Sequence, residues 1–286
     1  HTVFMVLLHS LEALHNWQLE ARWSTLRGGF VPTMGALHEG HASLIRNAAQ
    51  TCDLVVVSVL VNPTQFNESA DYEAYPRTLE EDAAKAEAAG ADAVFAPTAE
   101  ELYGGAPSAP HVNWGPLTHD FEGAHRPGHF DGVIAVVDLL FSAVKPQVAV
   151  FGEKDLQQVA VVKRLAADRH AGLEIEVGDL VRDASGLALS SRNARLDEDG
   201  KQQATALHKA LVSLREGLAA GLPWSETVSR ERAKLVASSG VTLEYFEAVD
   251  ADTFERATDV NQGRVHAVVA AYVQGVRLID NLALRT

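Results

Sequence analysis

The sequence predicts an α/β fold: a doubly wound, Rossmann-like parallel sheet followed by a smaller α+β domain. Three observations carry this expectation. Short β-branched runs alternate with helical periods from the start of the chain to about residue 180. The run Leu54–Val61 (LVVVSVLV) is apolar nearly throughout, as a strand buried on both faces of a parallel sheet must be. Beyond residue 180 the alternation gives way to helical stripes and then a hairpin pattern. The expected domains are residues 1–180 and 181–286.

In chain order, Phe30-Val31 leads into the loop Pro32–Glu39, and Ala42–Cys52 follows as a helix. Leu79–Ala89 is a charged, Ala-rich helix, ended by Gly90 at the position where a left-handed residue closes a helix. Val94–Ala96 is a short strand stopped by Pro97, and Val133–Val144 a helix halted before Pro146. Val148–Phe151 is a second buried strand, Leu156–Asp168 the helix after it, and Leu173–Val177 one more strand. In the second domain Ala204, Leu207, Leu211, Leu214 and Leu218 form one helical stripe, and Ser225–Val236 a further helix. Val265–Val273 and Val276–Ile279 flank Gln274-Gly275, a two-residue hairpin turn.

Composition narrows the function. The 286 residues carry 24 Lys+Arg against 38 Asp+Glu, a net charge of −14. That balance opposes a nucleic-acid surface, which needs clustered basic groups. The apolar runs are too short to span a bilayer, and His1–His9 lacks the features of a signal peptide, so a cytoplasmic protein is expected. The single Cys52 rules out an internal disulfide framework.

Three segments can carry chemistry. The first is Pro32-Thr33-Met34-Gly35-Ala36-Leu37-His38-Glu39-Gly40-His41, between a strand and a helix, where open α/β sheets bind ligands. Gly35 and Gly40 permit close backbone approach, the helix N-terminus favours an anion, and two imidazoles can donate to phosphate oxygens. A zinc site is the rival reading, but the pair is spaced i, i+3 and no third ligand lies nearby. The second is Gly152-Glu153-Lys154-Asp155 with Gln157-Gln158, where Lys154 suits a phosphate and Asp155 a ribose hydroxyl. Its plain alternative is an acidic helix start favoured by the macrodipole. The third, Leu189-Ser190-Ser191-Arg192-Asn193, combines hydroxyls, a guanidinium and backbone amides as in a phosphate clamp, or forms an ordinary turn and cap. Val61–Phe66 and Glu122–Phe130 add Gln65, Arg126 and His129, either as substrate-lining groups or as loop residues.

PTMGALHEGH, VNPTQF, RPGHF, FGEKDLQQ and GLALSSRN, in this order and closing with Arg277–Asn281, resemble the pantoate–β-alanine ligase family over nearly the whole chain. The first motif alone marks only the wider superfamily of HIGH-motif nucleotidyltransferases. The resemblance implies ATP-dependent ligation of pantoate and β-alanine to pantothenate, a precursor of coenzyme A. The reaction would pass through pantoyl adenylate and release pyrophosphate and AMP.

The resemblance also implies roles for individual residues. Met34, Gly35, Ala36, Leu37, His38, Glu39, Gly40 and His41 would hold ATP, with His41 the proton donor. Gly152, Glu153, Lys154 and Asp155 would bind ribose and phosphates, and Val181 would lie by the adenine. Leu189, Ser190, Ser191 and Arg192 would clamp the triphosphate. Gln65 and Gln158 would hold pantoate, Gln65 would also reach β-alanine, and Pro32, Met34, Arg126 and His129 would line the substrate site. Asp82 would lie close to Mg²⁺, the C-terminal domain would close over the site, and the protein would be a homodimer. A simple nucleotidylyltransferase on the same fold, and a nucleotide-binding regulatory module without turnover, are the competing functions. Gln65 and Gln158 weigh against the first, and the intact set His38, His41, Lys154 and Arg192 against the second.

Overall fold

The computed structural model describes residues 5–285. His1, whose origin the sequence leaves open, lies outside them. The chain divides into two compact units. The first comprises the chain up to Glu153 together with Val161–Asp179; the second comprises Lys154–Ala160 and everything from Leu180 onward. The segment Lys154–Ala160, sequence-adjacent to the first unit, thus groups with the second.

The first unit runs β1 (Val6–Leu8), α1 (Leu11–Glu20), β2 (Gly28–Thr33), α2 (Glu39–Thr51), β3 (Leu54–Val59), α3 (Ser69–Glu73), α4 (Leu79–Ala89) and β4 (Ala93–Phe95). It continues through α5 (Ala99–Tyr103), α6 (Pro116–His119), α7 (Glu122–His125), α8 (His129–Val144) and β5 (Val148–Gly152); α9 (Leu156–Arg169) leads into β6 (Glu174–Gly178). The six strands form one parallel sheet in the order β1-β4-β3-β2-β5-β6. The order reverses between β2 and β5, and a ligand crevice lies outside the carboxyl ends of strands at such a point. The expected parallel sheet is therefore present.

Both faces of the sheet are covered, which explains the unbroken apolar reading of β3. On one face, Leu44, Ile45 and Ala48 of α2 and Ala83, Ala86 and Ala89 of α4 pack with Val31, Val55, Val57, Val94, Val148 and Val150. Each Val, Leu or Ile buried this way contributes about 1.5–3 kcal/mol. Elsewhere Phe141 of α8 meets Phe30 and Phe151 edge-on, with centroids 6.3 and 6.2 Å apart. Gly90 ends α4 at φ +106°, as its position in the sequence implies.

The second unit carries α10 (Glu198–Ala219), α11 (Trp224–Val236) and an antiparallel sheet of β7 (Val241–Asp250), β8 (Val265–Val273) and β9 (Val276–Ala283). The stripe Ala204, Leu207, Leu211 and Leu214 is buried against Phe246, Val269 and Leu278. At the β8–β9 turn Gln274 and Gly275 both have positive φ, the backbone of a tight hairpin that matches strand twist. Strand β7, absent from the sequence reading, has a register shift between Leu243 and Tyr245 that obscures its two-residue alternation.

Candidate active site

The first motif occupies the crevice position. Pro32 is the penultimate residue of β2, in register with Ser58, and the chain leaves the sheet at Thr33. Thr33 donates its hydroxyl to the Ser58 carbonyl at 2.7 Å and accepts the Gly35 amide at 3.1 Å. Gly35 and Ala36 then take φ of +83° and +50°. A side chain at Gly35 would be strained by that φ, and its Cβ would lie 3.0 Å from Asp82 Oδ2 and 3.1 Å from Val59 Cγ1. The loop is held from below by Asp82 of α4, which is fully buried and accepts the amides of Ala36 at 2.9 Å and Leu37 at 2.7 Å.

His38 caps α2, and its Nδ1 accepts the Gly40 amide at 3.1 Å. His41, at the third helical position, turns back so that its Nδ1 accepts the His38 amide at 3.2 Å. The two imidazoles thus make the reciprocal arrangement usually formed by Ser or Thr with Glu or Gln. Their centroids are 4.1 Å apart. A proton on either Nδ1 would destroy a cap bond, and the positive end of α2 disfavours an imidazolium. The hydrogen bonds therefore assign both rings as neutral, with the proton on Nε2. Each ring thus keeps one N–H donor, at a helix start that itself favours anions. Glu39 turns to pair with Arg46.

A second group surrounds Gln65, which is 7% exposed. Its amide nitrogen donates to Met34 Sδ at 2.9 Å, and its Oε1 accepts from Asn62 Nδ2 at 3.2 Å. Asn62 Nδ2 also donates to the Gly132 carbonyl at 3.1 Å, and Asn62 Oδ1 accepts from the Tyr103 hydroxyl at 3.1 Å. Burial pushes the Tyr103 phenol up, against the lowering effect of bonds to Thr64 and Asn62. Gly132 is a packing requirement: a Cβ there would stand 2.3 Å from the Thr64 carbonyl oxygen and 2.5 Å from the Gln65 nitrogen.

Arg126 and His129, expected to line the substrate site, stand behind Gln65. His129 is buried, and its Nδ1 donates to the Gln65 carbonyl at 2.9 Å. Its Nε2 then accepts from Arg126 Nη1 at 3.2 Å, and Arg126 lies 3.6 Å from Glu122. This chain of contacts fixes the backbone from which Gln65 projects. Asn62 and Glu122 lie in segments named from the sequence but were given no role there, and Tyr103 was not singled out; the available signal was a polar Asn ending an apolar strand.

In the second unit, Lys154 Nζ lies 3.4 Å from Asp155 Oδ1, and the Lys154 carbonyl accepts from Asn281 Nδ2 at 3.1 Å. Gln158, on the first turn of α9, is half-buried. Val181 and Leu189 are joined by a backbone bond at 3.0 Å, so the segment between them returns on itself. Arg182 secures that segment: its guanidinium makes a two-pronged pair with Asp280 at 2.7 and 2.8 Å and also donates to the Gly186 and Asn281 carbonyls. Ser190 caps the short turn Ser191–Arg195 by accepting the Arg192 amide at 3.3 Å. Asn193 holds the turn by donating to the Ala188 carbonyl at 2.9 Å. Arg182 and its buried partner Asp280 also went unrecognised in the sequence, although a carboxylate inside an apolar strand needs a partner.

Comparison with known proteins agrees with this geometry. The family description pantoate-beta-alanine ligase matches residues 6–283. A pantothenate synthetase from Nocardioides sp. is 47% identical over 98% of this chain and 85% of its own length. One from Bacteroides fragilis is 42% identical over 97% and 98%. The crystal structure of pantothenate synthetase from Thermus thermophilus superposes with a TM-score of 0.90 at 39% identity, covering 99% of this chain and all of that one. The Francisella tularensis pantoate-beta-alanine ligase, solved with beta-gamma ATP and beta-alanine, gives 0.81 at 31% identity, over 99% of each chain. With a family match over nearly its whole length and the PTMGALHEGH loop at the carboxyl end of β2, beside the sheet's switch point, the chain belongs to the pantoate–β-alanine ligase family.

Proposed function

We propose that the chain makes pantothenate in two steps. A pantoate carboxylate oxygen attacks the α-phosphorus of ATP, and the bond to the leaving pyrophosphate breaks. The neutral amine of β-alanine then attacks the acyl carbon of pantoyl adenylate; the carbon–oxygen bond to AMP breaks and the amine loses a proton. The observation that carries this reading is the reciprocal His38–His41 cap. It places two imidazoles, each with its Nδ1 engaged as an acceptor, at a helix start that favours anions, and imidazole N–H donors there would stabilise charge as it develops on phosphate. The Francisella relative, solved with an ATP and β-alanine, supports the same substrates.

To the nucleotide we assign Met34–His41, Gly152–Asp155, Val181 and Leu189–Arg192. The charges of Lys154 and Arg192 offset the repulsion between a carboxylate and a triphosphate. To pantoate we assign Gln65 and Gln158, whose neutral amides donate to a carboxylate and accept from a hydroxyl. Pro32 and Met34 complete that assignment, with Arg126 and His129 acting through Gln65. We extend the proposal to a homodimer on the family resemblance, and to a cytoplasmic location on the short apolar runs of the sequence. Among the described residues no helix is long and apolar enough to cross a membrane.

We read Asp82 as a poor magnesium ligand, because the carboxylate is fully buried with Oδ2 taken by Ala36 and Thr78 and Oδ1 by Leu37. Among the described residues no group of three or more His, Cys, Asp or Glu could hold a metal. A magnesium ion accompanying ATP would take its protein-independent ligands from the phosphates and water. The test of the stepwise reading is pyrophosphate–ATP exchange: it should require pantoate and proceed without β-alanine. Exchange that depends on β-alanine refutes it.

A further inference from the structure

We propose that Asp82 and Lys85 form a positioning clasp on the His38–His41 loop, and that Asp82 is not a metal ligand. The proposal rests on the reading that residues 34–41 hold ATP. Asp82 and Lys85 lie one helical turn apart on α4, so both side chains reach the same neighbour. That neighbour is Leu37. Its amide donates to Asp82 Oδ1 at 2.7 Å, and its carbonyl accepts from Lys85 Nζ at 3.0 Å. Asp82 Oδ2 accepts in addition from the Ala36 amide at 2.9 Å and the Thr78 hydroxyl at 3.1 Å. Charge-assisted bonds of this kind are roughly twice as strong as neutral ones.

The clasp reaches the imidazoles through one peptide plane. The peptide between Leu37 and His38 has its carbonyl on Lys85 and its N–H on His41 Nδ1. Bonds at both ends of one amide polarise each other and fix the plane's rotation. That rotation sets the orientation of the His41 ring, and with it the direction of Nε2–H. The positive φ of Ala36 accounts for the need: such a backbone at a non-glycine persists only where surrounding contacts hold it. Asp82 is fully buried, and the one acceptor position its contacts leave open, on Oδ1, lies beneath the Ala36–Leu37 turn, so a metal could reach it only by disturbing that turn. The Lys85 ammonium, bonded to the same residue, adds a cation where a second one would be repelled.

The test uses the full-length protein with Lys85→Met, Lys85→Arg and Asp82→Asn, and measures pantoate-dependent pyrophosphate–ATP exchange against ATP and Mg²⁺. Lys85→Met should lower the exchange kcat roughly tenfold to hundredfold, the scale of a small misplacement of a reacting group, and Lys85→Arg should recover most of it. Asp82→Asn should raise the ATP KM and lower kcat, while the Mg²⁺ concentration giving half-maximal exchange at saturating ATP stays at the wild-type value. Electron paramagnetic resonance with Mn²⁺ in the absence of nucleotide should show no site that Asp82→Asn removes. A shifted Mg²⁺ requirement, or a Mn²⁺ site lost in Asp82→Asn, overturns the proposal. So do variants with lowered melting temperature but wild-type kcat and KM. Where Asp82→Asn fails to fold, the Lys85 pair decides. Calorimetric ATP affinity, which the clasp variants should weaken, reads the clasp independently of turnover. Absent exchange in the wild-type protein would strike the ligase reading instead.

Discussion

Replacing His41 separates two functions that one ring performs. Its Nδ1 caps the His38 amide, and its Nε2–H is the proposed donor to phosphate. His41→Ala loses both. Loss of a helix cap costs about 1 kcal/mol, within a range of roughly 0.5–2. For a chain of this size that lowers the melting temperature by about 2–4 °C. Loss of one preorganised donor to developing charge costs about 2.7–4 kcal/mol in the transition state, so kcat for adenylation should fall roughly 10²–10³-fold. His41→Asn distinguishes the two. Its side-chain oxygen can accept the His38 amide, restoring most of the melting temperature, but the shorter side chain does not place a donor where Nε2–H stood. Asn should therefore be nearly as stable as wild type and nearly as slow as Ala. Thermal denaturation and pantoate-dependent pyrophosphate exchange measure the two quantities on the same preparations. Wild-type exchange by either variant refutes the donor role. A rate that tracks melting temperature across the three proteins shows that the ring acts only as a cap.

Four further substitutions test other parts of the structure. Gln158→Ala should raise the pantoate KM about tenfold or more, the value of a hydrogen bond to a charged group, and leave the ATP KM nearly unchanged. Lys154→Ala should do the reverse and slow adenylation; steady-state kinetics in which both variants shift the same substrate would merge the two assigned sites into one. Gly132→Ala should destabilise by about 1–3 kcal/mol through overpacking against the Thr64–Gln65 backbone and also raise the pantoate KM, because the turn carrying Gln65 must move. Urea midpoints and pantoate kinetics check it, and an unaltered KM removes α8 from the positioning of Gln65. Burial and the nearby Arg182 charge push the His208 imidazole below its ordinary value of 6.5. Below about pH 6.5 the unfolded chain therefore binds more protons at this residue, and stability falls as pH drops toward the folded-state value. The stability difference between wild type and His208→Gln should shift against wild type from about pH 7.5 to about pH 5; a difference independent of pH refutes the assignment.

Much of this protein follows from local sequence. The run at β3, the Gly90 terminator and the Gln274-Gly275 turn each encode their conformation within a few residues, through burial on both faces, a left-handed stop and paired positive φ. The short spacing of His38 and His41 likewise made their pairing legible, because residues three apart at a helix start lie on one face. What those rings do with their Nδ1 atoms was less apparent, since His is an unusual capping residue and its tautomer depends on its acceptor bonds. The functions of Asp82, His129 and Arg182 came only from the tertiary structure. Asp82 grips amides 45 and 46 residues away, His129 holds a carbonyl 64 residues away, and Arg182 pairs with a carboxylate 98 residues away. Strand order brings such groups together, and spacing along the chain carries no record of it. A buried carboxylate reads the same in sequence whether it binds a metal or a backbone amide; the neighbour that packing delivers decides which.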